Sequence, residues 1–327
     1  MKEKRIAVLG PIPRDHITTH HGEVIEKYGC AMHPTIALAR LLEGMGTVIP
    51  VSHVRKEDSS RIKEILDAYP NIDQSHITDA NNQGDVIRLQ FLDQNNRIEQ
   101  QTGFMDPITP EDVEGLMDCD VFVCIPITDY EVPLQTLAHI RAHSDATIIF
   151  DAHGPTNTVD TEGKRHLRYW LDRDLWLPYI DILKMNMEES FCTWYEERDH
   201  SLKLGHFSDD GAAHLPTLAA HVLSHGVKAL IVTQDEHGGV LFYKEGSAVV
   251  EERFKAIRVE NVIDTTGCGD SFAGGLGFGV LIDPDDLKLA IRYANALGAQ
   301  RTQGRSFEVF KNRSETDKII LDFYGVH

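Results

Sequence analysis

Short apolar runs recur along the chain at Ile6–Leu9, Val48–Val54, Val121–Ile125, Thr147–Asp151, Ile182–Met185 and Ala229–Thr233. Continuous apolarity over so few residues is the pattern of strands buried on both faces. Between most of them lie amphipathic stretches whose apolar residues recur three and four positions apart, as in Thr35–Glu43, Ser59–Ala68, Leu134–His143 and Leu215–Ser224. This alternation predicts an α/β fold with a mainly parallel central sheet and helices on both faces. From Asp85 to Gln100 the period changes to two, around a turn-rich centre at Asp93-Gln94-Asn95-Asn96. A β-hairpin outside the main sheet follows, with Ile87, Leu89 and Phe91 on one face and Arg88 and Gln90 on the other. It reads either as an ordinary edge hairpin or as a small lid half open to water.

At about 100–200 residues per domain, a chain of this length makes one large domain or two medium ones. The 42% hydrophobic and 25% charged content excludes disordered, collagen-like and disulfide-scaffold classes. Asp and Glu outnumber Lys and Arg by 51 to 32, a net charge of −19, which argues against nucleic acid or an anionic membrane as partner. A local site for a small molecule remains open. Cys30, Cys119, Cys124, Cys192 and Cys268 form an odd set with no C-x-x-C, the expectation for reduced thiols in a cytoplasmic protein. The apolar run after the charged start is too short for a signal peptide, and no window approaches the roughly 18 apolar residues of a membrane helix.

The chemistry concentrates between Val262 and Gly275. Gly267 and Gly269, one residue apart and directly before a small-residue helix, let backbone N–H groups converge where the helix dipole is positive. Such a turn holds an anion, and Asp270 beside it is placed to act as a general base on a nearby hydroxyl. The plainer alternative is a glycine-rich turn in which Asp270 complements the dipole. No G-x-x-x-x-G-K-[ST] is present, and Phe272 takes the third glycine of a G-x-G-x-x-G.

The run Asp264-Thr265-Thr266-Gly267-Cys268-Gly269-Asp270 resembles the D-T-x-G-A-G-D motif of the ribokinase-like (PfkB-type) carbohydrate kinases. Gly10 to Asp15 is similar to that family's G-x-x-x-x-D substrate element, Asn186 to Glu189 to its N-x-x-E element, and Thr233 to Gly238 to its T-x-G-x-x-G turn. The resemblance implies one ribokinase-like domain over residues 1–327, with a discontinuous β lid at about 12–34 and 84–103. It implies ATP-dependent phosphorylation of a hydroxyl on a sugar, polyol or related carbohydrate, with Asp270 as base and the N–H groups of Gly267, Cys268 and Gly269 holding the transferring phosphoryl group. Asp15 would accept bonds from substrate hydroxyls. Asn186 and Glu189 would organise Mg2+ and phosphate through water, although the same pair also reads as an N-cap and its capping box. Thr233, Gly238 and Asn295 would line the ATP site, Asp264 and Thr266 would hold a monovalent cation such as K+, and lid pairing would give a homodimer.

Several positions depart from the motif. Cys268 replaces the usual alanine, and Asp235 replaces the first glycine of the nucleotide turn, where a carboxylate repels phosphate unless it points away or meets a cation. In the segment resembling G-G-x-x-x-N-x-A, Gly29 is kept, Tyr28 replaces the first glycine and His33 replaces the asparagine, so the substrate is not read in the ribokinase manner. His33 is either a ligand contact or a helix-start residue. The helix segment Tyr293–Ala299 resembles the one beside adenine, and the loop after it to Gly304 is about two residues shorter than in ribokinase. The 17 histidines show no H-E-x-x-H or comparable spacing and read as structural or solvated. Tyr169, Trp170, Trp176 and Tyr179 read as packing in a helical stretch, and Asp118 and Asp120 as loop solvation. A nucleoside kinase, or a ligand-binding module that has lost turnover, are the competing readings.

Overall fold

The computed structural model describes residues 3–92, 97–194 and 211–325. The chain opens with β1 (Lys4–Leu9), β2 (Arg14–Thr18), β3 (Val24–Tyr28), α1 (Met32–Leu41), β4 (Gly46–His53), α2 (Lys56–Leu66) and β5 (Ile77–Thr78). There follow β6 (Val86–Phe91), β7 (Arg97–Gly103), α3 (Pro110–Val113), β8 (Val121–Cys124), α4 (Leu134–His143), β9 (Thr147–Asp151), β10 (Asn157–Val159), β11 (Arg165–Leu167) and α5 (Arg173–Trp176). The C-terminal part holds β12 (Ile182–Asn186), α6 (Met187–Thr193), α7 (Leu215–Ser224), β13 (Ala229–Thr233), β14 (Gly239–Glu245), β15 (Ala248–Phe254), α8 (Cys268–Ile282), α9 (Leu287–Arg301) and α10 (Arg313–Tyr324).

Among the described residues, nine strands form the central sheet in the order β15-β14-β13-β12-β9-β8-β1-β4-β5. All neighbours from β13 to β5 are parallel, and β14 and β15 close one edge antiparallel. The continuous apolarity of the strands has its cause here. In β1, Ile6 and Val8 enter one core with α1, α8 and α9, while Ala7 and Leu9 enter a second core with α4 and α7. A sheet covered on both faces has no use for alternation. The mainly parallel sheet with helices on both faces is thus the observed architecture.

A separate four-stranded sheet has the order β3-β2-β6-β7, in which β2 and β6 pair in parallel and join two distant chain segments. Ile17, Ile87 and Leu89 are buried, whereas Arg88 and Gln90 are exposed, so the two-residue period marks one covered and one open face. The expected turn at Asp93–Asn96 lies outside the described residues. Met32 already begins α1, so the chain has left this sheet before residue 34.

Trp170 and Trp176 pack with Phe150, ring centroids 5.7–6.1 Å apart, but only Arg173–Trp176 of that stretch is α-helical. Asp118 and Asp120 are not simple loop solvation, because they accept the side chain and backbone N–H of Arg5 respectively. The glycines of α8 serve helix packing: a Cβ on Gly275 would collide with the backbone of Ala294, and one on Gly279 with that of Ala290. α8 and α9 can therefore approach backbone to backbone, which fixes α8 and its N-terminus over the sheet. Gly279→Ala is expected to lower stability by about 1–3 kcal/mol, the usual cost of overpacking. An unchanged thermal melting midpoint in that variant would contradict the close helix contact.

Candidate active site

In open parallel sheets, ligands bind beyond the carboxyl ends of the strands. Here that edge gathers most of the residues singled out in the sequence. Asp151 ends β9, Asn186 ends β12 and Thr233 ends β13, with Asn186 directly beside Thr233 in the ladder. Gly10 to Asp15 leads from β1 into β2, and the loop Asp264–Gly267 delivers α8 to the same edge.

Gly267 is the N-cap of α8 and adopts φ +84, a left-handed conformation that glycine takes without strain. The first N–H groups of a helix have no intrahelical acceptor. That of Cys268 instead closes a turn onto the Thr265 carbonyl at 3.2 Å, so it is less open than the motif implied. Among the described residues, the N–H groups of Gly267, Gly269 and Asp270 have no backbone acceptor, the condition for meeting an anion at a helix N-terminus.

The central side chain here is one the sequence reading missed. Lys184 is buried, and its Nζ donates to Asp151 Oδ2 at 2.7 Å. The same ammonium lies 3.0 Å from where a Cβ on Gly269 would stand, directly beside the anion-binding turn. A lysine inside the apolar run Ile182-Leu183-Lys184-Met185 was the available signal, since a buried charge needs a partner. Asp270 is half-buried, and burial, reinforced by the negative charge of Asp151 and opposed by Lys184, pushes its carboxyl up to about 6. That puts its ionisation just below neutral pH, the range a general base needs.

Asn186 and Glu189 form a full capping box on α6: Asn186 Oδ1 accepts from Glu189 N–H at 2.8 Å, and Glu189 Oε2 accepts from Asn186 N–H at 2.7 Å. Glu189 Oε1 also lies 2.9 Å from His153 Nδ1. From there the contacts run through Arg165 on β11, which reaches His153, Glu99 and Gln101, into the small sheet. Asp15 is buried on β2, packed so tightly against Gly29 that a Cβ there would collide with its carboxylate. Asp85 and Glu131 are buried carboxyls nearby, both pushed up by burial, Glu131 further by the charge of Asp85.

His33, expected at the substrate, is buried at the start of α1 with its ring pressed against Gly267. Burial, helped by Arg301 and Lys27, holds it well below the usual imidazole range and hence neutral. Its Nδ1 accepts from Arg301 Nε at 3.1 Å, which leaves the proton on Nε2. The Asp264 carboxylate, expected with Thr266 to hold a monovalent cation, accepts from Lys27 Nζ at 2.8 Å, Arg301 at 2.9 Å and the Thr266 N–H at 2.9 Å. At the end of β13, Gly238 turns the chain at φ +92 into β14, and Asp235 is exposed on the same turn. Asn295 is largely committed: its amide accepts from Ile257 N–H and donates to the Lys255 carbonyl and the Tyr324 hydroxyl.

Away from this edge, His221 near the end of α7 and His225 at its C-cap approach Asp174, an arrangement of metal-ligand type that the histidine survey overlooked.

Residues 135–308 match the model of the pfkB family carbohydrate kinases. A pyrophosphate-dependent kinase in the ribokinase family has a similar structure, with TM-score 0.73 at 18% identity over 96% of this chain and 99% of that one. So does a Burkholderia thailandensis nucleoside kinase complexed with inosine, TM-score 0.69 at 19% identity over 99% of each chain. The Arabidopsis thaliana ribokinase complexed with ribose and ATP gives TM-score 0.68 at 16% identity over 98% and 99%. The fold is ribokinase-like. No curated protein matches the chain in sequence.

By carbon-13 NMR the Asp270 carboxyl is expected to titrate near pH 6. Asp151→Asn should lower that midpoint by removing a neighbouring negative charge, and Lys184→Met should raise it. A midpoint near the ordinary value of about 4, unmoved by either variant, would contradict the site's electrostatics.

Proposed function

The chain belongs to the pfkB carbohydrate kinase family, and on that premise we propose that it transfers the terminal phosphoryl group of ATP to a hydroxyl of a sugar, polyol or related carbohydrate. The observation that carries this reading is the meeting of Asp270, Lys184 and the N-terminus of α8 within one anion-binding turn. Asp270, ionised at neutral pH, takes the proton of the attacking hydroxyl. The N–H groups of Gly267, Gly269 and Asp270, with the Lys184 ammonium, meet the charge spread over the transferring phosphoryl oxygens. Asp15 accepts bonds from the acceptor's hydroxyls, and Gly29 gives it room. Mg2+ fits near Asn186 and Glu189 only through its water shell, since both Glu189 oxygens already accept protein hydrogen bonds.

The small sheet, tied to the main body through Gln101, Arg165 and Lys27, acts as a lid that excludes water from the transfer. Its open face carries the exposed Ile98 beside Arg88 and Gln90, a surface suited to pairing with a second copy in a cytoplasmic homodimer. Among the described residues no helix is long and apolar enough to cross a membrane.

A second reading concerns the donor. Asn295, expected beside adenine, is engaged by Lys255, Ile257 and Tyr324, so that contact is reduced. Pyrophosphate, the donor that one structurally similar kinase is named for, needs no such contact.

The test is a panel of sugars, polyols and nucleosides offered with Mg2+ and either ATP or pyrophosphate. One acceptor is expected to be phosphorylated, with turnover rising through pH 6 as Asp270 ionises. Asp270→Asn should lower kcat by about 10²–10⁴ with the fold intact, and Lys184→Met by about 10² with a lowered melting midpoint, since it leaves Asp151 buried without its partner. Full turnover in Asp270→Asn would overturn the assignment of the base, and acceptor binding with no transfer from either donor would favour a binding module.

A further inference from the structure

We propose that Arg301 and Lys27 take the place of an activating monovalent cation, so that this chain transfers phosphate without needing potassium. The inference rests on the kinase reading of the site. It starts from the disagreement between the cation expected at Asp264 and Thr266 and the side chains that stand there.

Asp264 lies three residues before Gly267, in the loop that sets the anion-binding turn. Its Oδ1 accepts the Thr266 N–H at 2.9 Å, and its Oδ2 accepts both Lys27 Nζ at 2.8 Å and the Arg301 guanidinium at 2.9 Å. Arg301 is fully buried at the end of α9. It also donates from Nη1 to the Gly304 carbonyl and from Nε to His33 Nδ1. An alkali cation is held by carboxylate and carbonyl oxygens that no other donor occupies. Here Asp264 Oδ2 and the neighbouring Gly304 oxygen both accept from one guanidinium, and Oδ2 accepts from Lys27 as well.

Charge gives the same answer. Two protein cations face one carboxylate, and His33 is neutral because its ring is buried and accepts from Arg301. The cluster already carries one net positive charge behind the anion-binding turn, so a third cation would meet repulsion. Burial alone would raise the Asp264 carboxyl, yet Lys27, the Thr266 N–H and Arg301 hold it well below the usual carboxylate range. A guanidinium fork also fixes direction where a spherical ion does not. It braces His33 against Gly267 on one side and the Asp264 loop on the other. Lys27 comes from β3 of the small sheet, so its charge joins that sheet to the turn directly. Arg301 and Lys27 are thus positioning residues, acting through Asp264 and His33.

The test compares the enzyme in potassium, sodium and tetramethylammonium chloride at constant ionic strength. Turnover and thermal melting midpoint are expected to be the same in all three salts. Crystals soaked in thallous ion, a potassium mimic, should show no anomalous density at Asp264. Arg301→Ala should lose about tenfold or more in turnover and recover part of it with added guanidinium. Should the buried substitution prevent folding, Lys27→Met on the half-buried edge of β3 serves instead, with reduced turnover that potassium now stimulates. Potassium stimulation of the unaltered protein, thallium density at Asp264, or folded variants that neither guanidinium nor potassium restores would overturn the proposal. If no acceptor is phosphorylated at all, the kinase reading fails, and the thallium and melting measurements still decide the cation site.

Discussion

The arrangement depends on one buried ion pair, Lys184 with Asp151, at the carboxyl ends of the adjacent strands β12 and β9. Neither charge is stable alone in that interior, and removing one partner of such a pair typically costs about 3–5 kcal/mol. The pair is held because parallel strands bring residues 33 apart in sequence into register, Lys184 beside Asp151. Its consequences reach the neighbours: the ammonium stands beside Gly269, and the Asp151 carboxylate helps lift Asp270 towards neutral pH. In the proposed transfer, the cation that meets the phosphoryl group and the base that takes the hydroxyl proton share one electrostatic origin.

Around that pair, an acidic protein sets three buried or half-buried cations beside the turn that opens α8. The whole chain carries −19, yet the anion-binding turn has Lys184 on one side and the Arg301–Lys27 cluster on the other. Helix N–H groups add partial positive charge without adding a side chain. The close α8–α9 contact is what keeps these parts together, because α8 carries the turn and α9 ends in Arg301. Packing glycines far from the chemistry are therefore part of the site's construction.

The architecture was legible because its elements announce themselves in short-range pattern. Apolar runs gave the strands of the central sheet, and Leu134–His143 and Leu215–Ser224 were helices to the residue. The turn that opens α8 was legible from two glycines and an aspartate at the start of a helix. What stayed hidden involves partners distant in sequence. Lys184 looked like one polar residue in an apolar strand until Asp151 lay beside it. Arg301 read as the end of a helix until the fold set it against Asp264, 37 residues earlier, and His33, 268 residues earlier. His33 was singled out correctly as unusual, but its buried place against Gly267 depends on α1 meeting α8. Local spacing also left Asn186 and Glu189 with two meanings, and the structure realises the capping box while leaving the pair at the strand edge where phosphate chemistry belongs.

The most direct test of the account is a crystal structure with the phosphorylated acceptor's unphosphorylated form, the donor's product and aluminium fluoride as a mimic of the phosphoryl group in transfer. The account predicts the fluoride against the N–H groups of Gly267 and Gly269 and the Lys184 ammonium, with one acceptor hydroxyl within hydrogen-bond reach of Asp270. Fluoride bound elsewhere, or an acceptor whose hydroxyls all lie away from Asp270, would contradict it.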